Sequence, residues 1–266
     1  MRSEVFFDTH PVFTFDEYRA SRADPNGSSS TVKNLLAGHV ASGRLVRVRQ
    51  GLYASVPRSI EAAESEPDPY LIASSAAPGA VVCGHAALQF FGKAYSVWSR
   101  FHFFTSLRRR GFTFRGSTFV PLLDPAPLRS SSAREAGVLR RAHAGGTVRV
   151  CSLERTLVDV MSAPERAGGW EEVWRSLEMV EFFDLAAVTD YARSMESALT
   201  AARVGLFLEL HADSLLVEPA DLDALREMAP LQPRYLDAAH SPGRLDAKWN
   251  VIVPHWLEAR TWEEPA

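Results

Sequence analysis

Lys33 and Asn34, followed at short range by Arg44, Arg47 and Arg49, are donor-bearing side chains of the types that recognise nucleic acid. Arg and Lys neutralise phosphate, and Asn matches the donor and acceptor edge of adenine. A second set, Arg108-Arg109-Arg110, is three consecutive cations beside Gly111. Its spacing suits a loop that meets a backbone or simply faces water.

These side chains need elements to hold them. Thr14-Phe15-Asp16-Glu17 is a capping box, in which the Thr14 hydroxyl and the Glu17 carboxylate each satisfy an orphan amide at a helix start. It predicts a short helix carrying Phe15, Tyr18 and Arg19 to about Arg22. Asp24-Pro25-Asn26-Gly27 has turn chemistry. Ser28 to Ser30 offer an N-cap for a second helix, Thr31 to Ser42, with Gly43 as its C-terminal stop.

At 100° per residue, Val32, Leu35, Leu36 and Val40 share the inward arc of that helix, and His39 falls with them as a core or hairpin-contact residue. Ser30, Asn34, Ala37, Gly38 and Ala41 share the outer arc, flanked by Thr31 and Lys33. Leu45 to Arg49 alternates with period 2 and turns at Gln50-Gly51 into Leu52-Tyr53-Ala54. The alternation puts Arg47 and Arg49 on one face and Val46 and Val48 on the other. Helix, turn, helix and two-stranded hairpin together predict a winged helix over residues 1–58, gripping duplex DNA. The same module serves protein contacts in other settings, with its arginines solvated.

The net charge of −3 over 266 residues conceals a segregation. Residues 93–149 carry 11 Lys and Arg against 2 Asp and Glu, whereas residues 150–266 carry 10 against 21. Such a split predicts a basic surface turned to nucleic acid and an acidic part turned elsewhere. Arg100, Arg115, Arg129, Arg140 and Arg141 belong to the basic stretch. The chain shows neither the apolar core of a signal peptide nor a run of about 20 apolar residues, so a cytoplasmic protein without a membrane partner is expected. Cys83 and Cys151 have no CxxC spacing and read as buried thiols.

Residues 59–69 read as a proline-punctuated linker, and residues 70–266 as a larger mixed domain, so the fold class is α+β. Helices are expected from Tyr70 to Ala76 and Gly84 to Phe91, around a short strand at 80–83. Strands are expected at 97–105, 112–115, 118–123, 137–143 and 147–151. From Ser152 onward the pattern is helical: stripes at Leu153, Leu157, Val160 and Met161, then Trp170, Val173, Trp174, Leu177 and Val180, then a helix capped by Asp184, another from Ala198 to Leu210, and one opened by Pro219. Trp249 to Pro254 closes the chain as a buried strand.

No GxSxG, P-loop, HExxH or GxGxxG is present. Glu209, His211 and Asp213 are metal-ligating types, but Glu209 and Asp213 share a helix face that His211 leaves, so they read as solvated. Arg155 and Asp159, four apart, read as a helix-surface ion pair. A non-enzymatic protein without metal or cofactor is the expectation.

Gly43-Arg-Leu-Val-Arg-Val-Arg-Gln-Gly-Leu-Tyr-Ala54 resembles the N-terminal domain of AbiEi-family antitoxins, from abortive-infection, type IV toxin–antitoxin systems. Gly84-His85-Ala86-Ala87-Leu88, the run Val150 to Asp159, Gly168-Gly169-Trp170, Arg203 to Glu209 and Trp249 to Pro254 extend the resemblance over nearly the whole chain. The resemblance implies a winged-helix repressor on inverted repeats upstream of its own operon. It also implies a mixed α/β antitoxin domain, helical in its C-terminal half, opposing a nucleotidyltransferase-like toxin without a stable complex. Carried over by position, the DNA contacts are Thr31, Lys33, Asn34, Arg44, Arg47 and Arg49, beside Ser30 and the Arg108 to Arg110 loop. The stretch from Ala23 to Ser28 is longer than the tight turn usual in the family. Two alternatives remain: a nucleic-acid-processing enzyme built on Glu154, Asp159, Glu209 and Asp213, and a winged-helix regulator with no toxin partner.

Overall fold

The computed structural model of the protein describes residues 3–22, 28–129, 132–260 and Trp262. The turn expected at Asp24 to Gly27 lies outside the described residues. The architecture is mixed α+β. It divides into two compact units, Met1–Val82 with Trp98–Leu123 and Leu139–Val150, and Cys83–Val97 with Asp124–Val138 and Cys151–Ala266. The expected boundaries at residues 58 and 70 are therefore not those of the compact units.

In the first unit, α1 (Ser3–Thr9) precedes β1 (Val12–Thr14), α2 (Phe15–Ala20), α3 (Ser29–Ala41), β2 (Leu45–Arg49) and β3 (Leu52–Ser55). The capping box forms: Glu17 N–H donates to Thr14 Oγ1 at 3.2 Å, and Thr14 N–H donates to Glu17 Oε2 at 2.6 Å. Ser28 caps α3, and Gly43 follows it at φ 72°, a left-handed conformation that glycine adopts without strain. The strands pair antiparallel in the order β1-β3-β2. Phe6, Phe7, Phe13, Tyr18, Val32, Leu36, Leu45 and Tyr53 pack into one core. Val32 and Leu36 are buried as the helical arc predicts, whereas Leu35 stays 36% exposed. His39 is half-buried and meets the core residue Phe7 edge-on, ring to ring, at 4.8 Å.

Helix α4 (Pro69–Ser75) starts on a proline, with Asp68 capping the Leu71 amide at 2.9 Å. β4 (Val81–Val82), β5 (Arg100–Thr105), β6 (Phe112–Phe114), β7 (Ser117–Leu123), β8 (Val138–His143) and β9 (Gly146–Cys151) form a six-stranded sheet in the order β6-β7-β5-β4-β9-β8. β5 is central and buried on both faces from Phe101 to Thr105, with Phe101, Phe103 and Phe104 in the core and His102 and Thr105 buried beside them. The stretch expected as a linker is held in this unit: Arg115 donates to the Ala62 and Ala63 carbonyls, and Asp68 accepts from His143 at 2.9 Å.

The second unit contains α5 (His85–Phe90), α6 (Leu153–Ser162), α7 (Trp170–Glu178), α8 (Leu185–Ser194), α9 (Ala198–Leu210), α10 (Ala212–Leu215), α11 (Asp223–Glu227) and α12 (His255–Glu258). β10 (Arg234–Tyr235), β12 (Val251–Pro254) and β11 (Gly243–Asp246) form its small sheet, with β12 in the middle. The Leu157–Met161 stripe, Trp174, Leu177, Phe207 and Trp249 share one core. Pro219 opens a 3-10 turn rather than an α-helix, which begins at Asp223. No described helix is long and apolar enough to cross a membrane.

Candidate nucleic-acid interface

The outer arc of α3 is open to solvent, as its small and polar residues predict: Ser30, Thr31, Lys33, Asn34, Ala37, Gly38 and Ala41 are all exposed. Ser30 and Thr31 occupy the first turn, where the Ser30 hydroxyl meets that of Ser28 at 2.5 Å. Lys33, Asn34 and Ala37 form one wall of a cleft of about 750 Å³, whose other wall is Arg47, Gln50 and Tyr53 of the hairpin. Among the described residues, Lys33 and Arg47 have no carboxylate partner. Asp16, which also borders the cleft, is paired with Arg19 at 3.2 Å.

Two expected placements differ in the structure. Arg44 does not face the cleft: its side chain is 14% exposed and pairs with Glu4 at 3.1 Å and with Asp8 at 2.5 Å. It also donates to the Val56 carbonyl and lies 5.8 Å above the Phe7 ring. Arg44 therefore ties α1 to the start of β2, because a cation following Gly43 falls within reach of two α1 carboxylates.

The second difference concerns the hairpin. A bulge interrupts β2 at Val48, so Arg47 pairs with Tyr53 while Arg49 pairs with the next residue, Leu52. Adjacent residues of β3 point to opposite faces, and Arg47 and Arg49 do the same. Leu45 and Val48 are the buried positions, three apart, where strict alternation predicts Val46 and Val48. Arg49 lies 4.8 Å above the Phe112 ring.

Arg49 borders a second cleft in the same unit, of about 720 Å³, with Arg109, Arg140 and Arg149. Burial and then the neighbouring Arg109 guanidinium lower the Arg49 pKa. Of the expected loop cations, Arg109 thus joins a cluster, while Arg108 and Arg110 are exposed without carboxylate partners among the described residues. Arg140 and Arg149 reach the cleft from neighbouring strands β8 and β9, a convergence no local pattern announces. Other cations of the basic stretch are committed: Arg129 donates to the Asp124 carbonyl at 2.9 Å and Arg134 pairs with Asp124 at 2.6 Å.

In the second unit the carboxylates weighed for chemistry are spread out: Asp159 is buried, Glu154 and Glu209 are half-buried and Asp213 is exposed. Arg155 and Asp159 are a buried pair 3.4 Å apart rather than a surface one. Arg155 also donates to the Arg134 and Ala136 carbonyls, and Tyr191 donates to Asp159 at 2.9 Å. Burial pushes the Asp159 carboxyl up to about 6 despite both donors. Cys83 and Cys151 are buried free thiols, and burial followed by the neighbouring Cys151 raises the Cys83 pKa well above its ordinary value. Glu209 is not simply solvated, since it accepts from Trp249 Nε1 at 2.7 Å, and His211 bonds Glu178 at 3.0 Å. Among the described residues no three His, Cys, Asp or Glu side chains gather as a metal site would require.

Fold and site together define a mixed α+β protein with two cationic clefts in one of its two units. The fold is similar to that of the RV2827C protein from Mycobacterium tuberculosis, a crystal structure matched at TM-score 0.59 and 17% identity over 94% of this chain and 88% of that one. No protein-family model matches the chain, and no curated protein matches it.

Proposed function

We propose that the protein is a non-enzymatic, sequence-specific DNA-binding regulator that uses α1 to β3 as a winged helix. On this reading α3 enters the major groove and β2–β3 lies on the adjoining backbone. The observation that carries it is the cleft joining Lys33, Asn34 and Arg47, two uncompensated cations beside an amide able to pair with adenine. Ala37, Gly38 and Ala41 leave the outer arc of α3 low enough to approach base edges. The AbiEi resemblance extends the proposal: the regulator represses its own operon from inverted repeats and acts as the antitoxin to a nucleotidyltransferase-like toxin. Its setting is then the cytoplasm.

Binding-site selection from a randomised duplex pool tests the DNA reading. Asn34→Ala relaxes preference at one base position, at about 1–3 kcal/mol, and Arg47→Ala weakens binding across all sequences. Unchanged selection by Asn34→Ala contradicts the assignment of α3, and unchanged affinity of Arg47→Ala contradicts that of the hairpin. Co-expression with the neighbouring gene product tests the antitoxin role, with rescued growth as the expected result.

A further inference from the structure

The two cationic clefts share a wall. Asp16, Gln50 and Gly51 border both, so the tip of the β2–β3 hairpin stands between α3 with Arg47 on one side and Arg49 on the other. From this geometry we infer that the cleft of Arg49, Arg109 and Arg140 is a second phosphate-binding site, which holds the nucleic-acid backbone after it crosses the hairpin tip. The inference rests on the DNA-binding reading and adds to it a contact outside the α1–β3 segment.

Three observations support this site. Arg49, Arg109 and Arg140 have no carboxylate partner among the described residues, and like charges gathered without counter-charge are stabilised by a bound anion. The two acids that border the cleft are already engaged, Asp16 by Arg19 and Glu17 by the capping box. The lining offers guanidinium, amide and hydroxyl groups, including Gln50 and Thr147, and none of its residues is aromatic. That donor set suits phosphate oxygens and supplies no platform on which a base would stack. The occupant is therefore a phosphodiester backbone rather than a free nucleotide. The bulge at Val48 makes the arrangement possible, because without it Arg49 would share the face of Arg47.

The test is a fluorescence anisotropy titration of the full chain on its own upstream duplex and on a random duplex, at several salt concentrations. Arg109 and Arg140 are exposed, so Arg109→Ala/Arg140→Ala leaves the melting temperature unchanged. The double variant loses affinity for both duplexes by the same factor. Its log affinity against log salt is shallower by about 1.8, at about 0.9 per phosphate lost. Arg109→Lys/Arg140→Lys restores the slope, since a lysine point charge still neutralises phosphate. If the wild type prefers its own DNA and the alanine variant keeps full affinity and slope, the second site is wrong and the DNA-binding reading stands. If the wild type binds both duplexes equally and the variant loses slope, the site stands and sequence specificity fails. A wild type that binds neither duplex overturns both.

Discussion

Arg47 and Arg49 lie two residues apart on one strand and face opposite ways, because the bulge at Val48 pairs them with the adjacent residues Tyr53 and Leu52. One arginine therefore serves the α3 cleft and the other the arginine cleft, across a single hairpin.

Separation of this kind predicts additivity. In a double-mutant cycle on DNA affinity, Arg47→Ala and Arg49→Ala combine within about 0.5 kcal/mol, as substitutions that remove contacts to different phosphates on opposite faces do. Arg49→Ala and Arg109→Ala do not combine additively, because the two cations repel each other in one cleft. The reverse pattern would place Arg47 and Arg49 on one surface.

Arg44 separates stability from binding. Truncation to alanine removes the ties to Glu4, Asp8 and the Val56 carbonyl; the two carboxylates are half exposed and keep Arg58, so the cost is about 1 kcal/mol. Urea denaturation shows that loss for Arg44→Ala and none for Arg47→Ala. Equal stability of both variants would return Arg44 to the list of direct contacts.

Close packing in the second unit supplies another test. A Cβ at Gly205 of α9 would collide with the six-membered ring of Trp249, which is buried and anchored to Glu209 at 2.7 Å. Gly205→Ala is expected to cost about 1–3 kcal/mol or more by overpacking. Gly38→Ala, on the open arc of α3 with nothing within 4 Å of the new methyl, is tolerated and gains helix propensity. Thermal denaturation of the two variants gives the comparison.

Asp159 sets a pH dependence. Its carboxyl is raised by burial to about 6 from an unfolded value near 4. The folded state thus holds the proton over a range where the unfolded chain releases it. Stability from this group is complete below about pH 4 and is lost as pH rises through about 6, with a slope of at most about 1.4 kcal/mol per pH unit between those values. The stability of the wild type relative to Asp159→Asn, which keeps an acceptor for Tyr191, falls between pH 4 and pH 7. A difference constant over that range would contradict the buried, protonated carboxyl.

Features encoded by neighbours in the chain were legible in the sequence. The Thr14–Glu17 box, the Ser28 and Asp184 caps and the Ala198–Leu210 helix follow from spacing over a few residues. Helix α1 escaped because seven residues carrying Phe6 and Phe7 side by side show no helical period. The bulge escaped because Leu45 to Arg49 alternates in type while its geometry shifts by one residue. Arg155 and Asp159 have the same four-residue spacing on a surface as in a core, and only packing by Tyr191 and the Arg134 and Ala136 carbonyls decides which. The arginine cleft draws on β2, the loop after β5, β8 and β9, so its members are joined by the sheet and not by any motif.

Whether the α3 cleft reads a sequence is decided by competition: labelled duplex from upstream of the protein's own gene, titrated at two salt concentrations against excess random DNA. The expected result is an affinity for the upstream duplex at least about a thousandfold above that for random DNA, with both falling as salt rises. Equal affinity for the two duplexes would contradict sequence reading and leave α3 and the hairpin as a surface for another partner.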